Sequence, residues 1–262
     1  MSEGVNIPAD NTLLLVDDDE VFLNRLARAM EKRGFQVVCA GSVSAARDIL
    51  KDNAPAHAVV DLRLEDGSGL DVVDALREAR EDARIVVLTG AGLSAESGIA
   101  TFRDAGGLWE QHRVEDVATP EGFRRDPVLV HRFYNMRRAD TARARPNAAH
   151  RALARLARHH GVTLITQNVD DLHERGGSSK IIHLHGELRK ARSVNHENDI
   201  VDCENDINIG DLHPDGSQLR PHIVWFGEMV PEMENAIEIA SQADLFLVIG
   251  TSMQVYPAAS VI

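Results

Sequence analysis

Apolar runs alternate with amphipathic stretches along the first third of the chain. The runs predict strands at residues 13–16, 35–39, 58–60 and 85–88. Helical spacing of apolar residues predicts a first helix that ends at Gly34, and further helices at residues 42–50 and 70–80. Regular alternation of strand and helix predicts a parallel sheet covered by helices, in which sites lie at the carboxyl ends of the strands.

The rest of the chain has a different pattern, with a segment rich in Gly, Asp and Pro at residues 90–120 that predicts loops. Strands are predicted at residues 162–166, 181–184, 223–226 and 245–249, and helices at residues 128–138, 148–160 and 232–240. Residues 193–219 are polar and turn-rich, which predicts a surface insertion.

Composition and charge narrow the function classes. The 262 residues are 44% hydrophobic and 26% charged, which is typical of globular proteins. A net charge of -13 is a poor match to a polyanion, so a nucleic-acid partner is not expected. Cys39 and Cys203 form no CxxC pair, and neither a disulfide framework nor a thiolate zinc site is predicted. No apolar run reaches the roughly 18 residues that span a bilayer, so we expect a cytoplasmic protein without a membrane partner.

Acidic residues follow two of the predicted strands. Asp17, Asp18 and Asp19 come directly after the first strand, and Asp61 directly after the third. Because these strand ends meet at one edge of a parallel sheet, the carboxylates are expected to converge, and Mg²⁺ is the natural partner for such a cluster. Helix capping and turn formation are an equally good explanation of these positions from spacing alone.

The segments LLLVDDDEVFLNRLARAMEKRGFQV, VVDLRLEDGSGLDVV and IVVLTG resemble the receiver domain of two-component response regulators over residues 12–90. The resemblance implies that Asp61 accepts a phosphoryl group from a sensor histidine kinase. It implies further that Asp17 and Asp18 hold Mg²⁺ and that Thr89 is the switch hydroxyl. The family's Lys on the fifth strand is missing, because the chain has no Lys between Lys51 and Lys180. The last βα units and a DNA-binding effector domain are not recognisable either.

A glycine-rich segment, GAGLSAESGIATFRDAGGLW, follows Thr89. Small residues after a strand let backbone N–H groups approach a pyrophosphate, although such glycines often form only a tight turn. Four further motifs follow it in order: Thr-Gln-Asn-Val-Asp at 166–170, His-Leu-His-Gly-Glu at 183–187, Val-Trp-Phe-Gly-Glu at 224–228 and Gly-Thr-Ser at 250–252.

This ordered set resembles the sirtuin family of NAD-dependent protein lysine deacylases over residues 86–262. The resemblance implies NAD as cofactor, acyl-lysine proteins as substrates, and free lysine, nicotinamide and O-acyl-ADP-ribose as products. His185 would be the general base that takes a proton from a ribose hydroxyl. The implied NAD contacts are Gly90, Ala91, Gly92, Ser94, Thr101, Phe102, Arg103, Trp109, Gln167, Asn168, Asp170, Gly250, Thr251 and Ser252. His183 is interpreted as structural.

The segment FYNMRR at 133–138 matches the sirtuin variant in which a Tyr and an Arg line the acyl pocket. Tyr134 and Arg137 share a helix face, and an Arg there would pair with a carboxylate-tipped acyl group such as succinyl or malonyl. A surface arginine on an Arg-rich helix is the alternative. The other implied acyl-pocket residues are Val224, Phe226 and Gly227. Most sirtuins carry four zinc-binding cysteines after the HGE segment, whereas Cys203 stands without such partners here, so no zinc is expected.

Residues 86–90 belong to both resemblances, as the receiver's fourth strand and the sirtuin's first. Because a strand cannot pair with both sets of neighbours, we predict that the sirtuin part claims it. The receiver's three βα units must then extend that sheet, pack against it or stay loosely folded. The predicted fold is α/β, a Rossmann-like parallel sheet of sirtuin type preceded by a partial flavodoxin-like (βα)3 receiver segment. Its parts are a polar tail at 1–11, the receiver segment at 12–84 and the sirtuin domain at 85–262.

Three hypotheses about function follow from this chimeric pattern. The leading hypothesis is an NAD-dependent deacylase, weakened because the chain ends before the family's last segments, which contact the adenosine. The second is a phosphorylatable receiver module with Asp61 as acceptor. The third is a chimera in which both halves are too incomplete to function, since complete versions of both would need roughly 360 residues, each part lying in the usual domain range.

Overall fold

The computed structural model describes residues 10–52, 55–61, 63–79, 84–100, 108–109, 112–251, 255 and 257–261. None of the helices within these ranges is long and apolar enough to cross a membrane. Residues 10–79 and residues 84–261 each build a parallel sheet of their own, and the two sheets share one apolar core.

The first part contains a three-stranded parallel sheet in the order β2-β1-β3. Its elements are β1 (Thr12–Val16), α1 (Glu20–Lys32), β2 (Gln36–Ala40), α2 (Val43–Asp52), β3 (His57–Val60), the two short strands β4 (Arg63–Leu64) and β5 (Gly67–Ser68), and α3 (Gly69–Ala79). The predicted alternation of strands and helices is confirmed here, with bounds that shift by one or two residues.

Local chemistry fixes where the first helix begins and ends. The carboxylate of Asp19 accepts hydrogen bonds from the backbone N–H groups of Val21 and Phe22, so it caps α1. Gly34 follows the helix with φ of 94°, the left-handed conformation that glycine adopts without steric cost. The helix connects β1 to β2, which pair in parallel. Its buried side chains face the sheet.

The second part contains a four-stranded parallel sheet in the order β10-β9-β6-β14 and a three-stranded antiparallel sheet in the order β12-β11-β13. Its elements are β6 (Arg84–Thr89), α4 (Ala91–Ala95), β7 (Leu108–Trp109), β8 (His112–Arg113), α5 (Val114–Val117), α6 (Pro120–Arg125), α7 (Pro127–Arg143), α8 (Ala148–Leu156), β9 (Gly161–Thr166), α9 (Leu172–Gly176), β10 (Ile181–His183), β11 (Gly186–Ser193), β12 (Ile200–Asp202), β13 (Leu219–Ile223), α10 (Met233–Ser241), β14 (Leu245–Ile249) and a 3-10 turn at Ala258–Ser260.

The structure corrects two of the predictions from the apolar pattern. Residues 223–226 do not form a strand, because β13 ends at Ile223 and the N–H of Val224 bonds the carbonyl of His185 instead of a neighbouring strand. Residues 193–219 are more than a surface insertion, because they supply β12 and lead into β13, which both pair with β11. Their polar sequence hid β12, because this strand has only three residues and two of them are exposed.

The contested strand, β6, belongs to the sirtuin-like sheet. It pairs in parallel with β9 on one side, as in Ile85 with Val162, and with β14 on the other, as in Val87 with Leu247. Both of its edges are therefore used, and the prediction that the sirtuin part claims this strand is confirmed.

The three receiver-like strands pack against the edge of that sheet. β3 runs beside β14, with no ladder of hydrogen bonds between them in the described residues. One apolar core joins the two parts, since Val16 and Val60 from the first sheet belong to the same buried cluster as Val87 and Leu247 from the second. The receiver segment is thus packed against the sirtuin-like sheet instead of hanging loosely beside it.

Because this core is shared, we predict that both parts unfold together. Leu247→Ala should lower the free energy of unfolding by about 3 kcal/mol, as expected when a buried Leu leaves a cavity. In urea denaturation, the circular dichroism signal of the whole chain and the fluorescence of Trp109 and Trp225, both in the second part, should change in one coincident transition.

Val128→Ala is the control for that experiment, because Val128 is 62% exposed and its truncation should change stability by less than about 0.5 kcal/mol. Two separate transitions, or a Leu247→Ala effect seen by only one of the two signals, would show that the parts fold independently.

Candidate functional site

A cavity of about 560 Å³ lies at the carboxyl ends of β6, β9 and β14, within the range of about 300–1,000 Å³ that is typical of ligand clefts. This is the position where open parallel sheets bind ligands. The sequence-predicted residues that line it are Gly90, Ala91, Gly92, Ser94, Gln167, Asn168, Asp170, His185, Gly250, Thr251, Tyr134, Arg137, Val224, Phe226, Gly227 and Asp61. The structure therefore brings the separate sequence motifs to one place.

Glycines shape the floor of the cavity, where the loop after β6 meets the loop after β14. A Cβ atom on Gly92 would lie 2.9 Å from the carbonyl oxygen of Gly250, and one on Gly250 would lie 2.3 Å from the N atom of Leu93. Gly250 also has φ of 63°. Only glycine permits this backbone contact, and it leaves the kind of smooth cradle that a dinucleotide's pyrophosphate requires.

Polar side chains behind this floor form a buried network. Asn168 donates from Nδ2 to the carbonyl of Gly90 at 3.1 Å and to Oγ of Ser94 at 3.0 Å. Ser94 in turn donates to Oδ2 of Asp170 at 2.9 Å. Burial raises the pKa of Asp170, although hydrogen bonds from Leu172 and Ser94 oppose that shift. The network fixes the side chains that could face a ribose or an amide, and it fits NAD.

His185 lies in the turn between β10 and β11 and lines the cavity. Its Nδ1 is 3.1 Å from the carbonyl oxygen of Gln167. A carbonyl only accepts hydrogen bonds, so we assign the proton to Nδ1, which leaves Nε2 with a lone pair. Burial lowers the pKa of His185, opposed by the bond to Gln167, and so favours the neutral ring. It is suited to act as a base.

His183, interpreted as structural from the sequence, is not among the described residues that line the cavity. Its Nε2 lies 2.7 Å from Oε1 of Glu174, and its Nδ1 lies 3.2 Å from the carbonyl oxygen of Asn168. Burial favours the neutral ring, but the hydrogen bond and charge of Glu174 outweigh it and raise the pKa of His183. His183 thus ties α9 to the loop that carries Asn168.

Tyr134 and Arg137 lie on α7 and line the far side of the cavity. Both are buried, with Tyr134 at 0% and Arg137 at 7% exposed. Tyr134 accepts a hydrogen bond at 3.0 Å from the indole N–H of Trp225. The guanidinium of Arg137 is therefore a buried positive charge beside the cavity, and the alternative of a surface arginine is wrong.

The loop at 224–228 is held by a charge cluster that the sequence analysis did not identify. Arg220 donates to both carboxylate oxygens of Glu228, at 2.6 and 3.1 Å, and its guanidinium lies 3.4 Å from the ring centroid of Trp225. Glu228 also accepts from the N–H of Trp225 at 2.8 Å. Burial opposes ionisation, but Arg220 prevails and lowers the pKa of Glu228. The spacing of Arg220 and Glu228 in the sequence carried no recognisable signal.

The acidic residues of the first part converge as predicted. Carboxylate oxygens of Asp17, Asp18 and Asp61 lie within 4.8 Å of one another, which fits a divalent cation. Burial raises the pKa of Asp17, opposed by the N–H of Asp19, and the nearby carboxylates raise it further. Asp19 itself caps α1, so the helix-cap explanation holds for that residue. The Mg²⁺ role stays a prediction.

Thr89 does not lie where the receiver resemblance placed it. Its strand, β6, is separated from β3 by β14, so its hydroxyl is not brought to Asp61. It is fully buried and donates to Oγ1 of Thr166 at 2.8 Å. Its Oγ1 also lies 3.0 Å from Nε2 of His173. The switch role of Thr89 is corrected on this ground.

Two buried histidines behind the glycine loop were also missed from the sequence. His173 contacts Thr89, and His150 lies 3.5 Å from Oγ of Ser94 while completing a capping box with Asn147 at the start of α8. Burial lowers the pKa of His150 to about 4 and that of His173 to about 3. The sequence RPNAAH holds the capping signal, but it says nothing of burial.

Several predicted residues cannot be placed. Thr101, Phe102, Arg103 and Ser252 lie outside the described residues, as does the side chain of Trp109. In the segment after the HGE motif, Oγ of Ser193 donates to Asp215 at 2.7 Å and lies 2.6 Å from Oγ of Ser217, and these contacts join the end of β11 to the loop before β13. Zinc independence stays a prediction.

Comparison with known proteins places both parts of the chain. The Sir2 family model matches residues 90–257, and the response regulator receiver domain model matches residues 13–106. An NAD-dependent protein deacylase of Helicobacter pylori is 58% identical over 67% of this chain and 77% of its own length. The enzyme of that name from Bacteroides thetaiotaomicron is 55% identical, over 68% and 79%.

Solved structures agree with these relatives. A crystal structure of a Sir2 homologue–NAD complex is 47% identical and covers 68% of this chain and 72% of that chain, with a TM-score of 0.62. A mutant Sir2 homologue in complex with ADP-ribose gives 46% identity and a TM-score of 0.63, over 68% and 74%. This chain belongs to the Sir2 family, and it carries a response-regulator receiver segment before its Sir2 part.

Proposed function

We propose that this protein is an NAD-dependent protein lysine deacylase that prefers negatively charged acyl groups. The observation that carries the proposal is a single cavity lined by His185, by the Asn168–Asp170 network and by the buried Arg137. The deacylases of Helicobacter pylori and Bacteroides thetaiotaomicron support the same activity.

Different residues along the cavity have different roles in binding and proton transfer. When bound, NAD would supply a ribose carbon that an acyl oxygen can attack, with nicotinamide as the leaving group. Gly90, Gly92 and Gly250 leave room for its pyrophosphate, and Asn168 and Asp170 offer polar groups to its amide and ribose. His185 accepts a proton at Nε2, and Gln167 holds the ring in the orientation that makes this possible.

The protonation state of His185 sets the expected pH dependence. Because burial lowers its pKa below the ordinary 6.5, the neutral base persists at neutral pH and is lost only as the pH falls. In the pH profile of kcat/KM for a succinyl-lysine peptide with NAD, the acid limb should have its midpoint below pH 6.5.

His185→Ala should remove NAD-dependent nicotinamide release, whereas His159→Ala, an exposed histidine on the same chain, should leave it unchanged. Nicotinamide release that survives His185→Ala would rule out this base, and a wild-type chain with no NAD-dependent release would rule out the proposed activity.

Arg137 should set the acyl preference, because a buried guanidinium binds an acyl carboxylate by charge-assisted hydrogen bonds. Arg137→Met should lower kcat/KM for succinyl-lysine by roughly 30-fold, equivalent to about 2 kcal/mol, and change acetyl-lysine turnover far less. Arg132→Met, on the exposed side of the same helix, is the matched control. An equal loss for both acyl groups would assign Arg137 a structural role only.

A second activity is proposed for the receiver segment because Asp17, Asp18 and Asp61 converge. With Mg²⁺ and acetyl phosphate, the carboxylate of Asp61 should attack phosphorus and release acetate, and a sensor histidine kinase is the corresponding partner in a cell. Phosphate labelling should disappear in Asp61→Asn and persist in Glu65→Gln, an exposed neighbour. An unlabelled wild-type chain would remove this candidate.

A further inference from the structure

Two threonine hydroxyls meet at the carboxyl ends of β6 and β9, next to the cavity of the Sir2 part. Thr89 and Thr166 are the last residues of these strands and lie opposite each other in the parallel ladder. Both are fully buried, and Oγ1 of Thr89 donates to Oγ1 of Thr166 at 2.8 Å. The residues that follow them, Gly90 and Gln167, line the cavity. This threonine pair therefore directly precedes two segments of the cavity wall.

His173 adds a third group to the threonine pair. Its Nε2 lies 3.0 Å from Oγ1 of Thr89. Because Thr89 already donates its single hydroxyl proton to Thr166, Nε2 must be the donor, and we assign the proton of the neutral ring to it. Burial lowers the pKa of His173 to about 3, which keeps the ring neutral. Within the described residues, Nδ1 has no hydrogen-bond partner, so the bond to Thr89 is the only one that this ring makes there.

The segment between Thr166 and His173 carries two of the polar groups that line the cavity, those of Asn168 and Asp170. At the beginning of the segment, Oγ1 of Thr166 accepts the backbone N–H of Asn168 at 3.0 Å. At its end, Oδ1 of Asp170 accepts the N–H of Leu172 at 3.1 Å, where α9 begins, and α9 carries His173. Both ends of the segment are therefore tied to the threonine pair.

These ties determine where the polar groups of the segment lie relative to the loop after β6. Nδ2 of Asn168 donates to the carbonyl of Gly90 at 3.1 Å, and Asp170 accepts from Ser94 at 2.9 Å. Both bonds require the segment to keep its place beside that loop, because hydrogen bonds weaken steeply outside a narrow range of distance and angle. A bond from α9 to the end of β6 maintains this arrangement.

We propose that His173 is a positioning residue for NAD binding, whose Nε2–H fixes Asn168 and Asp170 through the threonine pair. The inference rests on the proposed function, because it takes NAD as the ligand of the cavity. His173 is not among the described residues that line the cavity, so it acts only through its neighbours. The proposed acyl-pocket residues lie elsewhere, on α7 and in the loop at 224–228. Loss of the Nε2–H should therefore weaken the binding of NAD and leave the KM for the acyl-lysine peptide unchanged.

The test is calorimetric titration of NAD into the full chain, combined with measurement of the KM for NAD and for a succinyl-lysine peptide. His173→Leu removes the donor and should weaken NAD binding about fivefold, as expected for the loss of one buried hydrogen bond. The KM for NAD should rise as well, and the KM for the peptide should stay the same. His173→Gln can place an amide N–H near the position of Nε2, and it should bind NAD within about twofold of the wild type.

Thr89→Val and Thr89→Ser test the same chain of bonds at its middle. The valine variant loses the hydroxyl and should weaken NAD binding, whereas the serine variant keeps it and should not. This pair of variants decides the question if His173→Leu does not fold.

His131→Leu is the matched control, because His131 is also a buried histidine. Within the described part of the chain, neither of its ring nitrogens has a hydrogen-bond partner, so its replacement removes no such bond. His131→Leu should bind NAD as tightly as the wild type.

The possible failures are distinguishable. If the wild type and His173→Leu bind NAD equally well, this inference is overturned and the proposed function remains intact. Equal losses in His173→Leu and His173→Gln, or in His173→Leu and His131→Leu, would also overturn it, because the N–H donor would then not be responsible. A smaller fraction of binding-competent chain with unchanged NAD affinity would assign His173 a structural role only. A wild-type chain that binds no NAD would overturn both proposals.

Discussion

The structure depends on a limit of backbone hydrogen bonding, namely that a strand inside a sheet has only two edges. β6 uses both of them, for β9 and for β14, and so it cannot also pair with β3. The receiver-like segment thereby loses the fourth strand that its sequence implies. The Sir2 part keeps the strand because it supplies partners on both sides: β9 pairs with all of β6, and β14 pairs with residues 85–89.

That limit also determines how the receiver segment is stabilised. Its apolar strands β1 and β3 need cover, and the available surface is the side of β14 that faces away from β6. Packing there joins Val60 with Leu247 in one core and covers β14 without a ladder of hydrogen bonds. Burial of apolar surface, which is not directional, can join two sheets whose strands do not pair. The third hypothesis, that both halves are too incomplete to function, stays a prediction.

The sequence predicted those features that depend on local pattern. Alternating apolar runs located the strands, and motifs such as residues 183–187 located the cavity, because spacing along one chain is enough for both. The sequence could not predict the clamp of Arg220 on Glu228 or the burial of His173, since these depend on which distant groups meet after folding. The strand at 223–226 was wrongly predicted because an apolar loop that lines a cavity has the same composition as a strand.

The direction of the strands explains why Asp61 and the glycine loop after β14 lie at the same edge. In a parallel sheet, the residues that follow each strand lie at the carboxyl-end edge. Asp61 follows β3 in this way, and Gly250 follows β14. Had β3 packed on β14 in the opposite direction, Asp61 would lie at the far edge, remote from the glycine loop. Asp61 and Gly250 both line the cavity, which agrees with strands that run in the same direction there. A receiver segment that packs beside β14 in this orientation brings Asp61 to the wall of the cavity.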